Sequence, residues 1–152
     1  MNAPANKRAT ARSAARLGAV QALYQHQMEG IAQAKLLDEF HHHRLGKVIE
    51  EEEYAEADVD FFDDLVAGVI ARKDEIDAKL VEKLAEGWTI ARLDKTMVQI
   101  LRCGAYELMA RPDVPTGAAI GEYIDVAKAF FDDREAKFVN GVLDAVAKDV
   151  RN

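Results

Sequence analysis

Apolar residues recur along this chain at steps of three and four rather than two, the period of helices and not of strands. The pattern predicts a first helix from about Thr10 to Glu29, stopped near Gly30, and a second from about Ala32 to Arg44, ended by Gly46. "KVIEEEEYAEAD" follows and reads as an exposed connection or a frayed helix with a solvated acidic face. "DVDFFDDLVAGVIARKDEIDAKLVEKLAEG" opens with acids that suit the positive end of a helix dipole. It is expected to break once, near Lys73-Asp74, into two helices. "LDKTMVQILRCGAYELMAR" is the most apolar helix, with Leu93, Met97, Ile100, Leu101, Ala105 and Leu108 on one side. Pro112 ends it, and Pro115 opens "PTGAAIGEYIDVAKAFF". "EAKFVNGVLDAVAKDV" is the last helix. About seven helices joined by short links predict an all-α bundle.

Composition narrows the class without changing that picture. With 152 residues the chain is expected to be one domain that buries a real core. No apolar run approaches the roughly 20 residues needed to span a bilayer, and the first 30 residues hold no apolar core of a secretory signal. A single cysteine, Cys103, excludes an internal disulfide and a Cys-rich zinc site. These features point to a reducing cytoplasm.

Charge does change the picture. The whole chain is acidic, at −7, yet the first 28 residues hold Lys7, Arg8, Arg12 and Arg16 and no acid. The remainder carries 16 basic against 27 acidic side chains, a net −11. On the first helix, Leu17, Val20, Tyr24 and Met28 fall within about 80° of one another and form the stripe expected to be buried. Arg8, Arg12 and Arg16 repeat every four residues on a second stripe beside it. Stacked like charges repel, and cations at a helix N-terminus oppose the dipole. Either acids from elsewhere in the fold offset these penalties, or an anionic ligand such as RNA phosphate does.

The second half supplies the sharper signal. Asn140-Gly141 is flanked by Val139, Val142, Leu143 and Val146 at helical spacing, so it is not a hairpin turn. A glycine inside a helix costs roughly 1 kcal/mol against alanine. Gly141 is therefore expected at a close-packing position, where another helix or a ligand approaches the backbone. "VP…AI.EYIDVAKAF…KFVNGVLD", with "AR..A..LGAVQALYQ" in the first helix and "ILRCGAYEL" in the central one, resembles the NusB family of transcription antitermination and termination factors. The resemblance covers essentially the whole length in the family's motif order, and "KFVNGVL" is its most specific part.

The resemblance implies an all-helical domain over residues 1–152 made of two small bundles, roughly residues 7–87 and 88–152, with no catalytic site and no cofactor. It implies binding of boxA RNA together with NusE, the small-subunit ribosomal protein. Assembly with other Nus factors on RNA polymerase, chiefly for ribosomal RNA operons, is implied as well. Members can also pair as homodimers that hide the RNA surface. Arg12 and Arg16 match the family's RNA-contacting arginines. Ser13 stands where a further arginine is usual, and Lys7 and Arg8 are placed to compensate. Lys137 and Phe138 match a position near the RNA site. A phenylalanine there has the chemistry to stack a splayed base, or to serve as a core residue at the start of the last helix.

Other constellations carry less. His41, His42 and His43 are consecutive, point about 100° apart on a helix and cannot converge on one metal ion. Gly117 and Gly121 lack the Lys-Ser/Thr of a phosphate loop. Gly104 suits close packing, Cys103 a small buried residue, and Trp88 a core anchor. No carboxylate pair stands out for acid–base work. Two other readings remain at this stage. The first is an RNA-recruiting module of the kind found at the N-terminus of ribosomal RNA methyltransferases, although these residues contain no strand–Gly-rich-loop pattern for S-adenosylmethionine. The second is a scaffold that binds only proteins.

Overall fold

The computed structural model describes residues 3–44 and 58–151, and side chains over 10–42 and 58–151. Among these residues the regular structure is entirely helical. The seven α-helices are α1 (Ala3–Glu29), α2 (Gln33–Glu39), α3 (Val59–Ala71), α4 (Lys73–Lys83), α5 (Lys95–Ala110), α6 (Thr116–Phe130) and α7 (Asp133–Val150). One π-helical segment, Phe40–Arg44, continues α2, and a 3-10 turn, Ile90–Arg92, precedes α5. The expected "KVIEEEEYAEAD" connection lies outside the described residues, save its last residue, Asp58. The chain forms two compact units, Met1–Ala67 and Gly68–Asn152, divided within α3.

In the first unit, Gly30 closes α1 at φ +69°, a left-handed value that glycine adopts without strain. The face of α1 that is buried differs from the expected stripe. Val20 is fully buried, but Tyr24 and Met28 are 39% and 52% exposed. The buried positions are Ala15, Arg16, Gly18, Ala19, Val20, Ala22 and Leu23, an arc rotated by roughly a third of a turn from the one read off the large apolar residues. Small alanines let a neighbouring backbone come close, so the contact follows them and leaves the bulkier side chains at the edge. Leu36, Phe40, Phe61, Phe62, Leu65 and Val66 are the other buried residues among those described in this unit. Phe40 and Phe62 stack at 5.5 Å, a separation that suits offset aromatic rings.

The second unit is built around α5. Asp94 caps it, with its side chain accepting from the backbone N–H of Thr96 at 2.8 Å and Met97 at 3.2 Å, a cap worth about 1 kcal/mol. Every residue from Met97 to Leu108 is buried, so this helix is surrounded rather than half-solvated. α4, α6 and α7 pack against it. Burial forces its polar groups to find partners. Arg102 donates from Nε and Nη2 to the two carboxylate oxygens of Asp77 on α4, both at 2.8 Å. Glu107, wholly buried, accepts from the Tyr123 hydroxyl of α6 at 2.9 Å. Arg151, just past α7, donates to the carbonyls of Leu108 (2.9 Å) and Arg111 (2.7 Å) at the end of α5. That placement satisfies carbonyls a helix C-terminus leaves over and sets a cation at the dipole's negative end.

Gly104 and Gly68 carry close contacts, and Gly141 does not. A Cβ at Gly104 would come within 2.6 Å of Leu143 Cδ1, and one at Gly68 within 2.1 Å of the Tyr106 ring. Gly104 is thus the packing glycine expected in α5. At Gly141, which is exposed, a Cβ would meet no described atom within 4 Å. The spacing around Gly141 is helical, as expected, but its side of α7 faces outward. Trp88 is likewise not the core anchor the sequence suggests. It is 49% exposed, on the link that follows Gly87, whose φ of +87° turns the chain out of α4.

Candidate nucleic-acid interface

The arginine stripe is only partly a surface. Arg12 is partly exposed, with its side chain at 29%. Arg16 is 4% exposed. Both guanidinium groups lie over the ring of Phe61 on α3, at 4.6 Å for Arg12 and 4.9 Å for Arg16, inside the range of a favourable cation–π contact. The side chains of Lys7 and Arg8 lie outside the described residues. The expectation of a uniform ridge fails at Arg16 because both arginines lie on the buried arc of the helix wheel and differ in position along its axis. Residues 11–14 are only partly covered, and full burial begins at Ala15, one residue before Arg16.

Asp58 organises this patch. It precedes α3, and its Oδ1 accepts from the backbone N–H of Phe61 at 2.9 Å, an N-cap. Its Oδ2 lies 3.6 Å from Arg12 Nε, and its own N–H donates to the Ala11 carbonyl at 3.0 Å. Sequence reading noted acids at the start of α3 but did not single out Asp58 or Phe61. The cap was detectable as an aspartate just before "VDFF". The contact with Arg12 was not, because nothing local signals a pairing across so much chain.

In the second unit, Lys137 is exposed and Phe138 is half-buried on the first turns of α7. Phe138 lines a groove of about 510 Å³ together with Trp88, Leu93, Met97, Phe131 and Arg134. Arg92 lies over the Trp88 ring at 5.3 Å and donates to the Gly87 carbonyl at 2.8 Å. Aromatic faces beside arginines can hold a flat, electron-rich ring such as a nucleobase.

The remaining candidates have structural partners. His41 Nε2 lies 2.6 Å from Asp63 Oδ1, and His42 Nδ1 lies 3.1 Å from Asp38 Oδ1. His43 lies outside the described side chains. Among the described residues no three metal-ligating side chains converge. Burial pushes the Cys103 thiol far up from its ordinary value, so it is no thiolate nucleophile near neutral pH. No described helix is long and apolar enough to cross a membrane.

Comparison with known proteins agrees with the fold and adds identity. The sequence model of the NusB family matches residues 13–148. The transcription antitermination protein NusB of Sphingopyxis alaskensis is 66% identical over 146 residues, which are 96% of this chain and 98% of that one. Its counterpart in Caulobacter vibrioides is 48% identical over 141 residues, 93% of this chain and 95% of that one. Among solved structures, T. maritima NusB aligns with a TM-score of 0.73 at 28% identity, covering 93% of each chain. A chain from a crystal structure of antitermination factors NusB and NusE in complex with dsRNA aligns with a TM-score of 0.72 at 28% identity, over 91% of this chain and 96% of that one.

Proposed function

The chain belongs to the NusB family, a family of non-catalytic transcription antitermination factors, and from that premise we propose that it binds boxA RNA together with the ribosomal protein NusE. The complex then joins other Nus factors on RNA polymerase, chiefly at ribosomal RNA operons. The observation that carries the RNA reading is Arg12, held over Phe61 yet 29% exposed on an acid-free stretch of helix. A guanidinium fixed in place on a partly exposed side chain suits a phosphate. Lys7 and Arg8 extend the cationic stretch in sequence, Arg16 backs it from beneath, and Lys137 adds a charge beside Phe138. The solved NusB–NusE–dsRNA complex supports the choice of partners by its likeness to this chain. Tyr24 and Met28, both exposed and about 40° apart on α1, offer an apolar strip of the kind that suits a protein partner.

Phosphate contacts position a nucleic acid, whereas base contacts specify its sequence. In a titration of labelled boxA-like and scrambled RNA, Arg12→Ala should weaken binding to both and reduce the log–log salt slope by about 0.7. Phe138→Ala should instead erase the preference for boxA with little change in slope. Adding the ribosomal partner should tighten binding of the parent. RNA affinity unchanged in both variants would refute the reading and leave a protein-only scaffold.

A further inference from the structure

We propose that Asp58 is an electrostatic gate on Arg12, a fixed anion that holds down the affinity of this patch for RNA phosphate. The inference rests on the RNA reading above and adds to it a residue that opposes binding. Two hydrogen bonds fix Asp58 in place. Its N–H is tied to the Ala11 carbonyl at 3.0 Å, and its Oδ1 is tied to the N–H of Phe61 at 2.9 Å. The remaining oxygen, Oδ2, then points at Arg12 Nε across 3.6 Å. A carboxylate on a flexible surface chain would swing aside when a phosphate arrived. This one cannot without giving up the cap of α3. Arg12, for its part, does not need Asp58 to hold its position, because its guanidinium rests on Phe61, a ring that is 2% exposed and so immobile. The roles are separate: Phe61 positions the cation, and Asp58 offsets its charge. Any phosphate that reaches Arg12 also meets a negative charge that stays where it is, and part of the counterion release that drives such binding is lost in advance. The gate keeps binding by this protein alone weak, so that firm RNA retention depends on contacts a partner brings.

Asparagine caps a helix about as well as aspartate, so Asp58→Asn removes the charge and keeps the fold. With the full-length chain and short single-stranded RNA, Asp58→Asn should raise affinity about two- to fivefold at low salt, the range of a partly exposed ion pair. The gain should be equal on boxA-like and scrambled RNA, and the salt slope should steepen by up to about 0.7. Asp58→Ser, also a capping residue, should reproduce the gain. Asp60→Asn makes the same change in net charge two residues away and should give less. In an Arg12→Ala background the gain from Asp58→Asn should disappear. A gain that persists there, or no gain from either capping variant in a chain that melts like the parent, overturns the gate while leaving the RNA reading intact. If Arg12→Ala alone leaves RNA affinity unchanged, the RNA role of Arg12 falls, and the gate falls with it.

Discussion

Arginines do different work in the two units. In the second, Arg102 grips Asp77 through two 2.8 Å bonds, and Arg151 is held by carbonyls at the end of α5. These are braces, in which a planar guanidinium fork meets acceptors of matching geometry. In the first, Arg12 and Arg16 both stack on the ring of Phe61, and Arg12 lies 3.6 Å from Asp58. A guanidinium stacked on a ring is held through its flat face, one in a bidentate pair through its edge. The same side chain is thus a structural tie in one unit and a candidate ligand group in the other, and the difference lies in what it rests on.

The largest effect should come from breaking a brace. Arg102→Ala strands Asp77 beside the core helix and should cost about 3 kcal/mol by chemical denaturation, the low end for a buried pair because Asp77 is 22% exposed. If it costs no more than Arg12→Ala, the contrast between the units is wrong. Next is Arg16→Ala, which removes a buried stem and a cation–π contact and should cost about 1–2 kcal/mol. A melting temperature equal to the parent's would return Arg16 to the open ridge. Gly141→Ala should stabilise by about 0.5–1 kcal/mol, since the site is exposed helix with room for a methyl group. Destabilisation there would mean that something packs on this side of α7 after all.

The smallest effect concerns Asp149 on α7, which bridges Lys83 and Lys79 of α4. Hydrogen bonding to Lys83, and less so to Lys79, holds its carboxyl below the ordinary value of 3.8. A lowered folded-state pKa gives stability that is fully present above the unfolded value and lost as pH falls through the folded one. Asp149→Asn should therefore melt slightly below the parent at pH 7. The gap should close as the medium is acidified below about pH 4. A gap that survives at pH 2 would assign the effect to packing.

Much of this was legible in the sequence, for physical reasons that differ by element. The 3.6-residue period of the apolar positions, together with Gly30, Gly87, Pro112 and Pro115 as punctuation, determined the helices and most of their limits, because helix formation is local. The motifs "KFVNGVLD" and "ILRCGAYEL" carried the family. The acid-free start of α1 marked the candidate RNA patch, since charge composition needs no coordinates. Only the tertiary structure decided which arc of α1 is buried, that Arg16 is beneath the surface while Arg12 is at it, that Gly104 rather than Gly141 takes the close contact, and that Trp88 borders a groove instead of filling a core. Each of these depends on which element approaches which face. A residue's own periodicity says that a face exists, but the neighbour that covers it comes from far along the chain, as Asp58 and Phe61 come to Arg12.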